Sequence, residues 1–378
     1  MDKIDKMSEN ETAALSKGLV ALLRSDKPNE KKIVEIAEYL NKYPKITRID
    51  FKKVHIFDEG FSLFTKALKK NTTITAIDLC YNSITSTSIK EFAALNAEKT
   101  TISKISVSAN LIGDDGIGDL VASFKNNYRI KEIDISTTEC SDKICIPLSL
   151  SIKGKPNFVK LNISNNNLTP VGAASLAEGL KENKSLKELY LQKNKILSDG
   201  CIKICDALTD NEVLLKICLG ENSIGTEAAA SFCKMLSNKY VLEEIEVDSN
   251  DFIDSDLEQI VTAIKLVDDD NRAKNRGCEC LKIINLGTNK FEDEGVKKLL
   301  EYVNNKDYIL ELRLKGNKLS EDCCNLIEQM SRLHPFIWIA SDPYIPPTEP
   351  TDTKKAAKQK DAKQKESAKE KKKAAQKK

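Results

Sequence analysis

Ile74-Thr-Ala-Ile77-Asp-Leu79-Cys-Tyr-Asn82-Ser-Ile84 has the form L-x-x-L-x-L-x-x-N-x-L, with Ile standing in for Leu. The form returns at Ile102–Ile112, Phe158–Leu168, Leu186–Ile196, Leu214–Ile224, Leu242–Phe252, Leu281–Phe291 and Ile309–Leu319, with weaker copies at Ile46 and Ile130. The first strand apolar of each copy falls at Ile49, Ile77, Ile105, Ile133, Leu161, Leu189, Ile217, Ile245, Ile284 and Leu312. Successive spacings are 28 residues seven times, then 39, then 28. A fixed period of this length marks a stack of supersecondary units, each burying its apolar side against its neighbours.

Within one copy, Ile77 and Leu79 alternate with Asp78 and Cys80, as a short strand requires. The apolar pair points into the stack and the pair between and beside it points out. Asn82, Asn110, Asn166, Asn194, Asn222, Asn250, Asn289 and Asn317 sit where each strand must turn inward. A side-chain amide offers donors and acceptors to the backbone groups buried at such a turn, so stacked Asn residues predict a ladder between coils. The second half of each unit has helical spacing, as in Asp199–Leu208 and Asp293–Leu300, with acids near the start to suit the helix dipole.

A helix in every unit of about 28 residues resembles the ribonuclease-inhibitor-like subfamily of leucine-rich repeats. The resemblance implies an α/β solenoid, or horseshoe, of ten repeats with a parallel concave sheet and convex helices. The chain then divides into an N-terminal helical cap (1–45), the solenoid (46–330), a C-terminal cap and linker (331–350) and a Lys-rich tail (351–378). Ser8 and Glu11 form a capping-box pattern ahead of the first cap helix, and Ile33, Ile36, Ala37 and Leu40 line one side of the second. His334–Ile339, with the single Trp338, is expected to cover the last coil.

Three units depart from the pattern. Val54 replaces the Asn in the first, as befits a terminal repeat. The fourth has Thr138 there, and Pro147 in place of a glycine-led helix start, so it is either locally irregular or a surface loop for a partner. The unit beginning at Leu242 is 11 residues longer, with the excess around 266–280, and reads as a solvated loop or a partner contact. Its run Asp268-Asp-Asp270 lacks the D-x-D-x-D-G spacing of a cation loop.

Charge is unevenly placed. Residues 351–378 hold 12 Lys and 4 acids, a local +8, which leaves −6 for the rest of a chain whose net charge is +2. The tail is too polar to bury a core, and its Lys run suits a polyanion: nucleic acid, an acidic protein tail or an anionic membrane surface. The opening residues are polar and predict no secretory leader, and no apolar run approaches the ~20 residues of a membrane span. With 11 Cys and two His, no pair of pairs has zinc-finger spacing, and Cys201 with Cys205 reads as core. Reduced thiols and a cytoplasmic setting follow, with cytoskeletal or nuclear association open. No phosphate loop, nucleophile elbow or H-E-x-x-H is present, so neither a catalytic residue, a metal nor a cofactor is expected.

Function is then expected on the concave face. Glu244, Glu246 and Asp248 form one acidic row beside Glu188 and Tyr190, and Glu132, Asp134, Asn162 and Arg313 share that face. An acidic row with an aromatic suits a basic protein partner. The expectation is a monomeric, non-catalytic scaffold of a cytoskeletal, ciliary or signalling assembly. The alternative is a GTPase activator like that of Ran, against which the basic tail counts.

Overall fold

A computed structural model describes residues 46–274, 281–304, 306 and 308–333, the backbone of 338–340, and Ile33 and Leu40. Eleven three-residue strands form one parallel sheet in chain order: β1 (Arg48–Asp50), β2 (Ala76–Asp78), β3 (Lys104–Ser106), β4 (Glu132–Asp134), β5 (Lys160–Asn162), β6 (Glu188–Tyr190), β7 (Lys216–Cys218), β8 (Glu244–Glu246), β9 (Ile283–Asn285), β10 (Glu311–Arg313) and β11 (Trp338–Ala340). Helices follow the strands on one side: α1 (Phe57–Ala67), α2 (Ser86–Lys99), α3 (Gly113–Ala122), α4 (Cys145–Ile152), α5 (Pro170–Lys181), α6 (Leu197–Leu208), α7 (Ala229–Leu236), α8 (Asp254–Ala273), α9 (Asp293–Val303) and α10 (Glu321–Leu333). Each β–α–β passage has the length a parallel pairing needs. The sheet extends one strand past the expected solenoid end, because β11 pairs in parallel register with β10.

The repeat apolars fill the space between sheet and helices. Each strand from β1 to β10 buries its central residue, from Ile49 to Leu312, and Phe61, Phe64, Phe92, Phe124, Phe158, Phe232, Phe252 and Phe291 are fully enclosed with them. Burying each such side chain contributes roughly 1.5–3 kcal/mol, so every coil depends on its neighbours for a core. Ile33 and Leu40 are helical and buried, in line with the expected cap face. The rest of the N-terminal cap, His334–Ile337, the linker and the Lys-rich tail lie outside the described residues.

Three polar seams join the coils. The first is the expected Asn ladder. Asn110 Nδ2 donates to Leu79 O at 2.9 Å and Val107 O at 2.8 Å. Its Oδ1 accepts from the amides of Asn82 at 2.9 Å and Ile84 at 3.0 Å. Thr138 fills the same slot in the fourth coil, fully buried, and donates to Ile135 O at 2.8 Å. Its carbonyl accepts from Gly113 N–H at 2.8 Å, as the Asn250 carbonyl does from Gly225 N–H at 2.8 Å, so the backbone turn is kept where the Asn is lost.

The second seam lies six residues before each strand centre, where Asn71, Lys99, Asn127, Lys155, Asn183, Asn211 and Lys239 recur. Asn71, Lys99, Lys155, Asn183 and Lys239 reach back to carbonyls at the end of the preceding coil's helical half, which a helix end leaves without partners, whereas Asn127 and Asn211 donate to Ile102 O and Leu186 O ahead of a strand. Asn183 Nδ2 donates to Ile152 O at 2.9 Å, and Lys239 Nζ donates to Leu208 O at 2.8 Å and Thr209 O at 3.0 Å. Burial holds the Lys239 ammonium down at a pKa of about 8. The third seam joins a first-turn Asp to the Ser or Thr that opens the next coil's helix. Asp58 accepts from Thr85 N–H at 2.9 Å, Asp142 from Thr169 N–H at 2.7 Å and Asp293 from Ser320 N–H at 2.8 Å.

The irregular units resolve on this frame. The fourth coil is not an open loop: a 3-10 turn, Asp142–Ile144, leads into α4, and Pro147 falls in its first turn, where an N–H has no helical partner to lose. The long unit extends a helix, since α8 has 20 residues and its added turns bury Asp268 and Asn271 while Leu266, Asp269 and Arg272 stay exposed. Asp268 there is buried and accepts from Tyr302 OH, Tyr308 OH and Lys306 Nζ, each at 2.7 Å. The rest of the insertion, 275–280 with Cys278 and Cys280, lies outside the described residues. Cys201 and Cys205 are buried in α6, their sulfurs 3.8 Å apart.

Candidate interaction face of the sheet

Strand side chains that do not enter the core stand on the face opposite the helices. Parallel register aligns them in rows across the sheet. One row runs Lys104, Glu132, Lys160, Glu188, Lys216, Glu244 over six consecutive strands. Opposite charges therefore neighbour one another at every step. Lys104 pairs with Glu132, Lys160 with Glu188 at 2.7 Å, and Lys216 with Glu244 at 2.6 Å.

The next row carries Asp134, Asn162, Tyr190, Cys218, Glu246, Asn285 and Arg313 on β4 to β10. Tyr190 is the aromatic centre of the face. Its hydroxyl donates to Glu188 Oε2 at 2.9 Å, and Lys160 Nζ and Lys216 Nζ lie 4.8 Å and 5.0 Å from its ring centre. Ammonium groups near a ring face are attracted by its quadrupole, so the two Lys hold the ring in place. Burial and the Glu188 carboxylate push the Tyr190 phenol far above its ordinary pKa.

All nine expected contact residues stand on this face. Glu188, Tyr190, Glu244 and Glu246 are joined through Lys160 and Lys216, and Arg313 reaches Glu246 at 3.9 Å and Glu311 at 2.5 Å. Glu132, Asp134 and Asn162 lie towards the other end. There a depression of about 260 Å³ opens over Ala76, Cys80 and Ser106, walled by Arg48, Lys104 and Asp134. Asp134 accepts from Ser106 Oγ at 3.1 Å and Ser136 Oγ at 2.7 Å.

The acidic row is thus partly neutralised, which the strand-by-strand reading misses. Lys104, Lys160 and Lys216 belong to the site as much as the acids do, and reading down columns at the repeat period finds them. The remaining excess is still negative. Glu188, Glu244, Glu246 and Asp248 are met by Lys160, Lys216 and Arg313, four acids less three cations, or −1. Burial raises the carboxyl pKa values of Glu244 and Asp248. Burial also acts on Glu188, but hydrogen bonds from Lys160 and Tyr190 prevail and hold it below its ordinary value. Among the described residues no three His, Cys, Asp or Glu side chains converge as metal ligands, and no helix is long and apolar enough to cross a membrane.

The leucine-rich repeat family matches residues 154–177, 182–205 and 277–300. No curated protein sequence matches the chain. Among solved structures, an internalin from Listeria monocytogenes is 14% identical, covers 88% of this chain and 95% of its own, and has a TM-score of 0.47. The actin-binding site 2 of leiomodin-1 is 16% identical over 50% of this chain and 93% of its own, at a TM-score of 0.33. The tropomodulin C-terminal domain of Caenorhabditis elegans is 13% identical over 42% and 98%, at 0.35. Scores of this size assign no partner here. The recurring consensus, the single parallel sheet with its flanking helices and the three matched segments together establish the fold: the chain forms a leucine-rich-repeat solenoid.

Proposed function

We propose that the chain is a non-catalytic scaffold that binds a protein partner across the open face of its sheet. The observation that carries this reading is Tyr190, held between two Lys in the middle of the sheet face opposite the helices, where the nearby charge is net negative. Tyr and Arg dominate protein-binding energetics when they are held rigidly and ringed by polar groups. Glu132, Asp134, Asn162, Glu188, Tyr190, Glu244, Glu246, Asp248 and Arg313 are the proposed contacts, and the charge excess selects a basic partner.

The test is partner capture by the full chain. A triple variant, Glu244→Lys, Glu246→Lys and Asp248→Lys, should lose a partner that the wild type captures. A control with Lys203→Glu and Glu301→Lys, on the helical side, should keep it, with circular dichroism confirming that both fold. Loss by the control and retention by the triple variant would place binding elsewhere. The scaffold reading also expects no acceleration of GTP hydrolysis by Ran in single turnover. A rise would favour the activator alternative.

A further inference from the structure

The charged row of the sheet keeps a two-coil period from β1 to β8. Odd strands carry a cation, Arg48, Lys104, Lys160 and Lys216, and the even strands β4, β6 and β8 carry Glu132, Glu188 and Glu244. Each Glu pairs with the cation of the strand before it: Glu132 with Lys104, Glu188 with Lys160 at 2.7 Å and Glu244 with Lys216 at 2.6 Å. Only β2 breaks the period. Ala76 stands in register between Arg48 and Lys104, at the place of the missing Glu. Opposite charges facing across strands stabilise a sheet, so Ala76 forgoes an ion pair that the row makes at β4, β6 and β8.

Two further observations meet at Ala76. Arg48 is exposed and has no hydrogen bond or ion pair among the described residues, whereas Lys104, Lys160 and Lys216 each touch an acid. Asp50 and Asp78 in the adjoining row turn to the backbone instead, accepting from Lys52 N–H and Cys80 N–H, each at 3.0 Å. The depression of about 260 Å³ opens at the same place, lined by Ala76 with Arg48, Lys52 and Lys104. The position of the missing Glu is therefore open space beside a cation without a partner. Asp78, Glu132 and Asp134 line the depression too, so a multiply charged anion such as a phosphate is opposed there. A single carboxylate matches the planar fork of donors that a guanidinium offers.

We infer that the place above Ala76 receives a carboxylate side chain, Asp or Glu, of the protein partner, paired with Arg48. This rests on the scaffold reading and adds an acidic contact to a partner whose contact near Tyr190 is basic. The inserted acid completes the alternation that runs on to Glu244. The small side chain of Ala76 leaves the room, Arg48 supplies the charge-assisted pair, and Lys104 stands on the far side of the inserted group.

The probe is a blocked (Gly-Glu)3 peptide titrated at low salt into the isotope-labelled full chain, followed by NMR at the Arg48 Nε–H and Ala76 N–H resonances. Both should shift saturably, and a blocked (Gly-Gln)3 peptide or inorganic phosphate should bind there at least about three-fold more weakly. Arg48→Gln, read at Ala76, and Ala76→Glu, read at Arg48, should each weaken the Glu peptide by at least about three-fold. Ala76→Glu should also move the Arg48 resonance as the peptide does, with no peptide present. Lys66→Gln on α1, an equal change of net charge away from the row, should leave binding unchanged. Equal binding of the two peptides, tighter binding of phosphate, no saturable shift, unchanged binding by either row variant, or an equal loss in Lys66→Gln would each overturn the inference. A captured partner lost on Tyr190→Ala but kept by Arg48→Gln and Ala76→Glu would overturn it and leave the scaffold reading standing.

Discussion

Replacing Asn110 by Ala tests whether the first seam holds adjacent coils together. The change removes two acceptor contacts and leaves the amides of Asn82 and Ile84 buried without partners. It also strands Val107 O, whereas Leu79 O keeps its bond from Asn82 Nδ2 at 2.8 Å. Three buried groups at about 1–3 kcal/mol each bound the loss between roughly 3 and 9 kcal/mol. Local relaxation and entry of water reduce this, so about 3–5 kcal/mol is expected. Asn110→Thr reproduces the native Thr138 slot and keeps a hydroxyl for Val107 O, which should recover about 1–2 kcal/mol. Urea unfolding followed by circular dichroism gives both values, and hydrogen exchange at Asn82 and Ile84 reports the local opening. A loss below about 1 kcal/mol for Ala, or equal losses for Ala and Thr, would show that the ladder is incidental to stacking.

Gly116→Ala would bring a Cβ within 2.8 Å of Ser86 Cα and should destabilise by about 1–3 kcal/mol in the same assay. Gly118→Ala, on the same helix with open space around it, should instead stabilise by about 0.5–1 kcal/mol. Ala109 sits at a φ of 55°, so Ala109→Gly should raise the urea midpoint by the equivalent of about 0.5–1 kcal/mol. Burial raises the Asp58 and Asp293 carboxyls, but Ser and Thr hydrogen bonds prevail and hold both below 3.8. Their stabilisation is present above that value and is lost as pH falls through the folded-state pKa, a loss that Asp58→Asn should blunt in acid titration. Lys239 shows the same sign of dependence in a higher pH window. Burial lowers it from 10.5 to about 8, so the unfolded chain binds the extra proton between those values and stability should rise with pH across them. Lys239→Met should abolish that rise.

The strands, the helices and the first seam were legible because each rests on a residue type repeated at a fixed position. The second seam was hidden by its mixed composition. Asn183 and Lys239 do the same work, donating to carbonyls of the coil before, but no single-letter consensus joins them. The third seam was hidden by distance, since Asp142 and Thr169 belong to different units and meet only on stacking. The long unit misled for a physical reason. Its Asp268 looks like surface charge in sequence, yet it turns inward because two Tyr hydroxyls and Lys306 from the next coil satisfy it. On the open face the side each residue takes was legible from the repeat phase, but the burial of Cys80 and Cys218 there was not. The neutralisation of that face was hidden too, because Lys216 meets Glu244 only through strand register.

The seams also explain why the open face is free to carry recognition. Coil-to-coil polar bonding is handled at the two turns and at the helix starts, and apolar burial is handled inside. Side chains between and beside the strand apolars carry only cross-strand ion pairs, so Ala76 and Lys104 can stand at equivalent places in one row, and Tyr190, Cys218 and Asn285 in the next. A position without a structural duty should drift towards residues that favour strands, and β-branched or aromatic side chains would do so there. Gly220 departs from this for a local reason: the Asp248 carboxylate, which accepts from the Asn285 amide at 2.9 Å, fills the place that a side chain there would take.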